Sequence, residues 1–262
     1  MGGFIVCKFG GSSVANAGQV EKVRKIVAED ENRRCIVVSA PGKDRKDPEK
    51  VTDHLFNIAT DGQHFRARGK AISARESYGQ VLDKFRSLIA GLAIDGDDII
   101  EGLQTDLASP IADRKRIDFF ASRGEHYSAK VITRYFQNRG MNAELMLPED
   151  IGFFVSDRFG NARVLPASHT NLKESLKEGR ISIIPGYYGM TLKGDIAVLS
   201  RGGSDLTGGE VAFAMDASRY ENWTDTDGVF QVDPRIIPEA SVIPVLTYKE
   251  IRLLSSKGFN VF

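Results

Sequence analysis

Two short glycine-rich stretches, one near each end of the chain, have the residue types and spacing of phosphate-binding turns. Lys8-Phe-Gly-Gly-Ser-Ser-Val14 and Leu199-Ser-Arg-Gly-Gly-Ser-Asp-Leu-Thr207 each place paired glycines after an apolar run and a hydroxyl residue after the glycines. Glycine permits a tight turn, and free N–H groups at a helix N-terminus bind anions. Neither stretch is a G-x-x-x-x-G-K-[ST] loop or a G-x-G-x-x-G dinucleotide turn. The pattern predicts two anionic ligands, or one long one.

Charged residues accompany both turns. Lys8 has the charge to neutralise phosphate or to stabilise phosphoryl transfer, and its alternative interpretation is a solvated lysine at a strand end. Arg201 suits bidentate binding of a carboxylate, and Asp205 suits orienting that arginine or approaching a metal. The alternative for this pair is an ordinary surface ion pair.

Two further segments carry candidate binding residues. Trp223-Thr-Asp-Thr-Asp-Gly-Val-Phe230 is rich in acids and hydroxyls, as expected of a loop around the sugar and base of a nucleotide, with Arg235 reaching phosphate. The D-x-D pattern also resembles a calcium loop, but the glycine and glutamate spacing that such a loop requires is absent. Glu125, in Ser122-Arg-Gly-Glu125, is a candidate for a substrate ammonium. Its alternative is a helix N-terminal glutamate that complements the helix dipole, and the local sequence favours that alternative.

The surrounding pattern predicts an open α/β sheet. Apolar runs at residues 4–9 and 35–38 have strand character, and the second ends at the turn Ser39-Ala-Pro-Gly42. Between them, apolar residues at helical spacing predict an amphipathic helix whose buried face comprises Val20, Val23, Ile26 and Val27. Because ligands bind at the carboxyl ends of strands in such sheets, both glycine turns are expected at that edge.

The remaining elements are predicted from periodicity. A helix is expected to begin at Val51 with Thr52 or Asp53 as its N-cap, and residues 67–109 have helical composition. Residues 116–139 are expected to be helical, interrupted at Ser122-Arg-Gly-Glu125 and closed by Gly140. Further strands are predicted at 144–147, 153–155, 181–184, 196–199, 222–224 and 242–245, and further helices at 172–176 and 210–217.

Composition is that of an enzyme-sized globular protein. The 262 residues include 35 Lys+Arg and 35 Asp+Glu, so no basic excess points to nucleic acid or a membrane surface as partner. No apolar run approaches the ~18 residues of a membrane-spanning helix. The two cysteines, Cys7 and Cys35, lie in predicted strands and are expected as buried thiols, and the four histidines lack metal-ligand spacing, so no metal site is predicted. A cytoplasmic location follows as the expectation.

Taken in order along the chain, these motifs resemble the aspartokinases of the amino acid kinase family. The motifs that carry the resemblance are Lys8-Phe-Gly-Gly-Ser-Ser-Val14, Val38-Ser-Ala40 with Thr52-Asp53, Ser122-Arg-Gly-Glu125, the segment from Gly186, Arg201-Gly-Gly-Ser-Asp205, and Trp223-Thr-Asp225 through Gly228 to Asp233-Pro-Arg235. The resemblance implies a three-layer α/β sandwich with a largely parallel central sheet, of the carbamate kinase-like type. It also implies transfer of phosphate from ATP, with Mg²⁺, to the L-aspartate β-carboxylate, the first step towards lysine, threonine and methionine.

The same resemblance implies roles for individual residues. Lys8 and Asp205 would be catalytic, with Lys8 stabilising the transferred group and Asp205 organising the cationic side chains. The aspartate site would comprise Ser39, Thr52, Glu125, Arg201 and Gly202, with Arg201 on the α-carboxylate and Glu125 near the ammonium. The nucleotide site would comprise Lys8, Gly10, Gly11, Ser12, Thr224, Asp225, Phe230 and Arg235.

This chain departs from the family pattern in three places. Phe230 stands where the family often has tyrosine, and Asn260 stands where it commonly has a nucleotide-contacting lysine, Lys257 being the nearest. The family also continues into the end of the kinase domain and two ACT regulatory domains, which implies a truncated catalytic domain. Residues 1–195 would then form mainly the acceptor lobe, and residues 196–262 the start of the nucleotide lobe. A full-length protein is expected to be a homo-oligomer.

Two rival functions stay open at this point. One is a sibling kinase whose acceptor is acetylglutamate, glutamate or UMP. The other is a non-catalytic module that binds nucleotide or aspartate without turnover.

Overall fold

Five parallel strands, in the order β10-β1-β2-β7-β5, form the main sheet of the structure, which is a computed structural model. It describes residues 3–44, 48–63, 66–67, 70–111, 113–176, 179–200, 202–233 and 236–256, which fall into two units, Met1–Trp223 and Thr224–Phe262. Within these ranges the strands are β1 (Ile5–Phe9), β2 (Arg33–Val38), β3 (Arg66–Ala67), β4 (Lys70–Ala71), β5 (Ala143–Leu145), β6 (Phe154–Val155), β7 (Ile181–Pro185), β8 (Tyr188–Thr191), β9 (Ile196–Val198) and β10 (Arg219–Trp223).

The helices of the first unit are α1 (Ala17–Ala28), α2 (Val51–Ala59), α3 (Ala74–Leu92), α4 (Asp97–Leu107), α5 (Asp113–Asn138), α6 (Pro148–Ile151), α7 (Ala167–Ser175) and α8 (Gly203–Ala214), with a 3-10 turn at Gly11–Val14. Helix α9 (Tyr248–Ser256) belongs to the second unit. Strands β6, β8 and β9 form a second small sheet, and β3 and β4 form a two-residue hairpin.

Two hydrophobic clusters cover the two faces of the main sheet. Alternate residues of β1 point to opposite faces, so Cys7 and Phe9 join the cluster that includes α1 and α5, while Val6 joins the cluster that includes α8. Every residue of β1 is buried, as expected for a parallel strand covered on both faces. The predicted three-layer α/β architecture with a largely parallel central sheet is confirmed.

Most predicted elements of the larger unit are present. Helix α1 buries Val20, Val23 and Val27, as its spacing predicted, and Ile26 is half-buried against the same cluster. Its N-cap is Asn16, whose side chain accepts a hydrogen bond from the Gln19 N–H. Gly140 ends the long helix region at a φ of +75°, which favours glycine. Cys7 and Cys35 are free and buried, as predicted, and burial raises the pKa of Cys35 to about 12.

Four local predictions are wrong. The helical region expected from residue 67 starts instead with the β3–β4 hairpin, and α3 begins only at Ala74. Helix α5 runs unbroken through Ser122-Arg-Gly-Glu125, because residues 120–129 are all buried and packing outweighs the low helix propensity of one glycine. Helix α2 begins after Lys50 without a side-chain cap, so neither Thr52 nor Asp53 is its N-cap. Helix α8 begins at Gly203 rather than near residue 210, so the second glycine turn is itself the helix N-terminus.

The second unit has little regular structure among its described residues. A single antiparallel bridge joins Phe230 to Val242 in place of the strand predicted at 242–245, and Pro244 has no N–H for a ladder. Helix α9, which was not predicted, begins after Thr247, whose N–H and hydroxyl both donate to the Glu250 carboxylate at 2.7 Å. In return, the Glu250 N–H donates to Thr247 Oγ1 at 3.3 Å, which completes a capping box, and the T-x-x-E signal of this box was present in the sequence.

Candidate active site

The carboxyl ends of the parallel strands bring the predicted turns together at one edge of the main sheet. The glycine turn follows β1, the turn that begins at Ser39 follows β2, and Gly186 follows β7. Backbone hydrogen bonds join them in series: Ser39 N–H donates to the Phe9 carbonyl at 3.2 Å, and Gly186 N–H donates to the Val38 carbonyl at 2.9 Å. The predicted placement of the turns after β1 and β2 at one edge of the sheet is therefore confirmed, and the turn at Gly186 joins them there.

The first glycine turn is packed tightly against the turn after β2. Gly42 N–H donates to the Gly11 carbonyl at 2.9 Å, and a Cβ placed on Gly11 would lie 3.0 Å from the Ala40 carbonyl oxygen. A side chain at either glycine would push the two turns apart. Ser12 follows in the 3-10 turn and is half-buried.

Lys8 is buried with an acidic partner. Its side chain leaves β1 on the side opposite Cys7 and Phe9, and its Nζ lies 2.9 Å from Asp205 Oδ1 in the first turn of α8. Asn222 of β10 donates to the same oxygen at 3.0 Å. Lys8 is only 7% exposed, so its charge acts where water screens it weakly. The interpretation as a solvated lysine is wrong.

The N-terminus of α8 presents the second turn at this edge. Gly202 precedes the helix with a φ of +81°, and Gly186 leaves room for Ser204, because a Cβ on Gly186 would lie 2.7 Å from the Ser204 Cβ. The first free N–H groups of α8 therefore lie beside the end of β7. Arg201 lies outside the described residues.

Glu125 is a buried carboxylate in the middle of α5. It is 5% exposed, it accepts a hydrogen bond from the Ala40 N–H, and its Oε2 has no hydrogen-bond partner among the described residues. Burial raises its pKa to about 8, an effect that the backbone hydrogen bond only partly opposes. The interpretation as a helix N-terminal glutamate is wrong, and a buried carboxylate with a free oxygen fits a cationic ligand.

Small residues allow α5 to approach the turn after β2. A Cβ on Gly124 would lie 2.6 Å from the Ala40 Cβ and 3.6 Å from Val51 at the start of α2. Thr52, next to Val51, is half-buried in the first turn of α2. The structure therefore brings the turn that begins at Ser39, the start of α2 and Glu125 into one region.

The predicted nucleotide loop lies in the second unit. Thr224 and Asp225 are exposed, and the Thr224 hydroxyl donates to the Asp225 carboxylate at 3.2 Å. Phe230 is half-buried and forms the bridge with Val242. Arg235, Lys257 and Asn260 lie outside the described residues.

Sequence reasoning missed three polar residues of this edge. Asn222 holds Asp205, and Glu221 binds the Trp223 indole, yet both precede the motif that marked the loop. Tyr187 has a φ of +77°, unusual for a residue with a side chain, and its N–H donates to Thr207 Oγ1 at 3.1 Å. Burial, together with the charges of Glu125 and Asp118, raises the pKa of its phenol. The sequence signal that could have identified Tyr187 was its position after Gly186, directly after a predicted buried strand.

The described residues contain no group of three or more His, Cys, Asp or Glu side chains placed to hold a metal ion. Asp205, the acid nearest to Lys8, is already bound by Lys8 and Asn222. These side chains do not fit a resident metal site. They do provide a buried cation, glycine turns and a helix N-terminus, which are the groups that stabilise phosphoryl transfer between anions.

Comparison with known proteins gives a consistent result. The sequence model of the Amino acid kinase family matches residues 3–262. Aspartokinase 3 of Bacillus subtilis (strain 168) is 40% identical over 262 residues, which are 98% of this chain and 56% of that protein. The aspartate kinase of Clostridium acetobutylicum superposes with a TM-score of 0.81 at 31% identity, covering 97% of this chain and 55% of that one.

A second solved structure is E. coli aspartokinase III in complex with aspartate and ADP. It superposes with a TM-score of 0.76 at 25% identity, covering 92% of this chain and 53% of that one. The chain thus spans about half the length of these relatives. In the part of the chain that the structure describes, no helix is long and apolar enough to cross a membrane.

Proposed function

The chain belongs to the amino acid kinase family, and on that premise we propose that it transfers the γ-phosphoryl group of ATP to the side-chain carboxylate of L-aspartate. The product is 4-phospho-L-aspartate, and ADP leaves. The observation that carries the proposal is the buried Lys8–Asp205 pair beside the first glycine turn. The similarity to aspartokinases, among them one solved with aspartate and ADP, supports this choice of substrates.

The chemistry needs no general base. An aspartate side chain has a reference pKa of about 3.9, so the attacking carboxylate is ionised at neutral pH. One carboxylate oxygen forms a bond to the γ-phosphorus while the bond to the bridging β–γ oxygen breaks. The protein must position two anions and stabilise the charge spread over the transferred group. Lys8 and the N–H groups of Gly11 and Ser12 are proposed to do this, while the Gly10 N–H holds the turn by donating to the Trp223 carbonyl. Asp205 holds the lysine in place.

The acceptor is proposed to bind between the turn after β2 and α5. Glu125 would receive the α-ammonium group, because it is the buried carboxylate with a free oxygen there. Ser39, Thr52, Arg201 and Gly202 complete the acceptor site by resemblance to the family, with Arg201 on the α-carboxylate.

The remaining assignments also rest on the resemblance. Thr224, Asp225, Phe230 and Arg235 are proposed as nucleotide-binding residues, and Mg²⁺ is proposed to enter with ATP as part of the substrate. Residues 1–195 are proposed as the acceptor lobe and residues from 196 onwards as the start of the nucleotide lobe. The reaction is placed as the first step towards lysine, threonine and methionine, in the cytoplasm, and the whole protein is proposed to be a homo-oligomer.

The test is an assay of ADP release with a panel of acceptors: L-aspartate, L-glutamate, N-acetyl-L-glutamate and UMP. The proposal requires release that depends on L-aspartate, together with an acyl phosphate that hydroxylamine traps. Release with another acceptor would replace the proposal with a sibling kinase. A rise in the Tm of the chain with Mg-ADP and L-aspartate, without any ADP release, would favour the non-catalytic binding module.

Lys8→Met is the matched test of the chemistry. Removing an electrostatic stabiliser of a transition state costs roughly 10²–10³ in kcat, so turnover should fall by about that factor. Lys22→Met is the control, because Lys22 is exposed on α1 and should leave turnover unchanged. Equal turnover in the two variants would remove Lys8 from the mechanism.

A further inference from the structure

Trp223, the single tryptophan of the chain, holds the first glycine turn through its main chain. It is the last residue of β10, and its carbonyl oxygen accepts hydrogen bonds from Gly10 N–H at 3.0 Å and from the Ser13 hydroxyl at 3.3 Å. These two donors lie on either side of Gly11 and Ser12. The position of this carbonyl therefore sets the orientation of the turn proposed to bind phosphate.

The indole of Trp223 is held on three sides. It stacks on Phe9 with ring centroids 6.0 Å apart and an interplanar angle of 15°, and the Arg33 guanidinium lies 5.4 Å from its ring centroid. Its Nε1–H donates to Glu221 Oε2 at 3.0 Å. The last contact is the directional one, since the stacking contacts tolerate sliding of the ring.

Glu221 is the acceptor at the centre of this cluster. Its Oε2 also accepts from Arg33 Nε at 2.9 Å and lies 3.4 Å from the Cys7 thiol, which is the donor. Its other oxygen lies 3.4 Å from Arg33 Nη2 and 3.5 Å from Arg219 Nη1. The Glu221 side chain is 13% exposed, so these donors replace most of its water. Burial acts to raise the pKa of Glu221, but the hydrogen bonds from Arg33, Trp223 and Cys7 outweigh it, and the pKa lies below its usual range.

The β1–β10 register places this cluster next to Lys8 along the same two strands. Cys7 pairs with Glu221 and Phe9 with Trp223, while the intervening Lys8 pairs with Asn222. Side chains alternate along a strand, so the Glu221 cluster lies on one face and the Lys8–Asp205–Asn222 group on the other. Both groups are built on the same two stretches of backbone.

We propose that Glu221 is a positioning residue for nucleotide binding, which acts by holding Trp223 so that its carbonyl orients the Gly10–Ser13 turn. This inference rests on the proposed function. Glu221 does not touch the reacting groups in this arrangement. A purely structural role, the neutralisation of Arg33, makes a different prediction: loss of Glu221 would lower stability without a selective effect on nucleotide.

The experiment measures the Kd of Mg-ADP, the Kd of L-aspartate and the Trp223 emission spectrum in a series of variants. Glu221→Leu should weaken Mg-ADP binding by about tenfold, equal to ~1.4 kcal/mol, and leave the Kd of L-aspartate within about twofold. Its emission spectrum should shift, because the indole N–H loses its acceptor. Glu221→Gln keeps an acceptor oxygen for the indole and should restore the emission and most of the Mg-ADP affinity.

Glu29→Gln is the matched control. Glu29 is a second carboxylate near Arg33, with its Oε2 3.8 Å from Arg33 Nη1, but its side chain is 70% exposed. Its substitution should leave the Kd of both ligands and the Trp223 emission unchanged. If Glu221→Leu fails to fold because Arg33 is left unpaired, Arg33→Met with Glu221→Leu removes both charges and tests the same indole contact.

If folded Glu221→Leu binds Mg-ADP with the wild-type Kd, the inference is overturned and the proposed function stays intact. If the substitution weakens the binding of Mg-ADP and of L-aspartate equally, the inference is also overturned, in favour of a structural role. Absence of Mg-ADP binding by the wild-type chain would contradict the proposed function, and this inference would fall with it.

Discussion

Glu125 has the most distinctive chemistry of the individual residues. A carboxyl group in the middle of a helix with one free oxygen is costly to ionise, which is why burial raises its pKa to about 8. A bound ammonium would supply the missing partner and favour the charged form. A buried carboxyl group of this kind favours a cationic partner over a neutral one.

The affinity for L-aspartate should accordingly depend on pH. Without ligand, Glu125 is mostly protonated below pH of about 8, and a protonated carboxyl offers no charge to an ammonium. The Kd of L-aspartate should rise as pH falls from about 9 to about 6.5, approaching tenfold per pH unit well below the pKa. Calorimetric titration at several pH values measures this dependence.

Glu125→Gln is the control for that titration. The amide has no charge in this range, so binding should be weak at every pH and lack the slope. If the Kd of L-aspartate for the wild-type chain stays constant over the same pH range, Glu125 does not bind the ammonium group.

At the level of elements, the continuity of α5 depends on how closely it packs against its neighbours. The glycine that suggested a break is the residue that allows the helix to touch the turn after β2. Nearer the N-terminus of α5, the Asp118 carboxylate accepts hydrogen bonds from the N–H groups of Gly160 and Val198, each at 2.8 Å. The same helix therefore also holds the loop after β6 and strand β9. One helix thus positions Glu125 and supports the strand that leads to the second glycine turn.

Gly124→Ala should destabilise the protein and Gly79→Ala should not. The new Cβ at 124 would lie 2.6 Å from the Ala40 Cβ, and overpacking of this kind costs about 1–3 kcal/mol. Gly79 is also inside a helix, α3, but a Cβ there meets nothing within 4 Å, so its variant should gain up to ~1 kcal/mol from helix propensity. Urea unfolding measures both. Equal effects of the two substitutions would contradict the close contact.

At the scale of the whole molecule, the hydrophobic clusters lie within the first unit. All members of the two large clusters lie between Phe4 and Trp223 among the described residues. The second unit carries several exposed apolar side chains, including Ile236, Val245 and Tyr248. The free energy of unfolding should therefore come mainly from the first unit.

A chain of residues 1–223 should fold by itself. It keeps both clusters and all five strands of the main sheet, so its thermal unfolding should stay cooperative and its Tm should lie within a few degrees of that of the full 262-residue chain. Calorimetry of the two chains makes the comparison. Loss of cooperative unfolding in the shorter chain would show that residues beyond 223 contribute to the core.

The sequence by itself determined the local features of this protein. Glycine pairs after apolar runs, the period of α1 and the continuous apolar strands are encoded within a few residues of each other. They predicted the α/β class, the parallel sheet and the sheet edge where the turns at Gly10 and Ser39 meet. Motif order along the chain then identified the amino acid kinase family.

Only the tertiary structure decided the properties that depend on distant residues. The partner of Lys8, the burial that raises the pKa of Glu125, the unbroken course of α5 and the contacts of Glu221 with Cys7 and Arg33 all depend on residues far apart in sequence. Lys8 and Asp205, for example, are almost 200 residues apart and meet because β1 lies beside β10 and under α8. Propensity and spacing describe neighbours along the chain, whereas burial, charge pairing and close packing are set by neighbours in space.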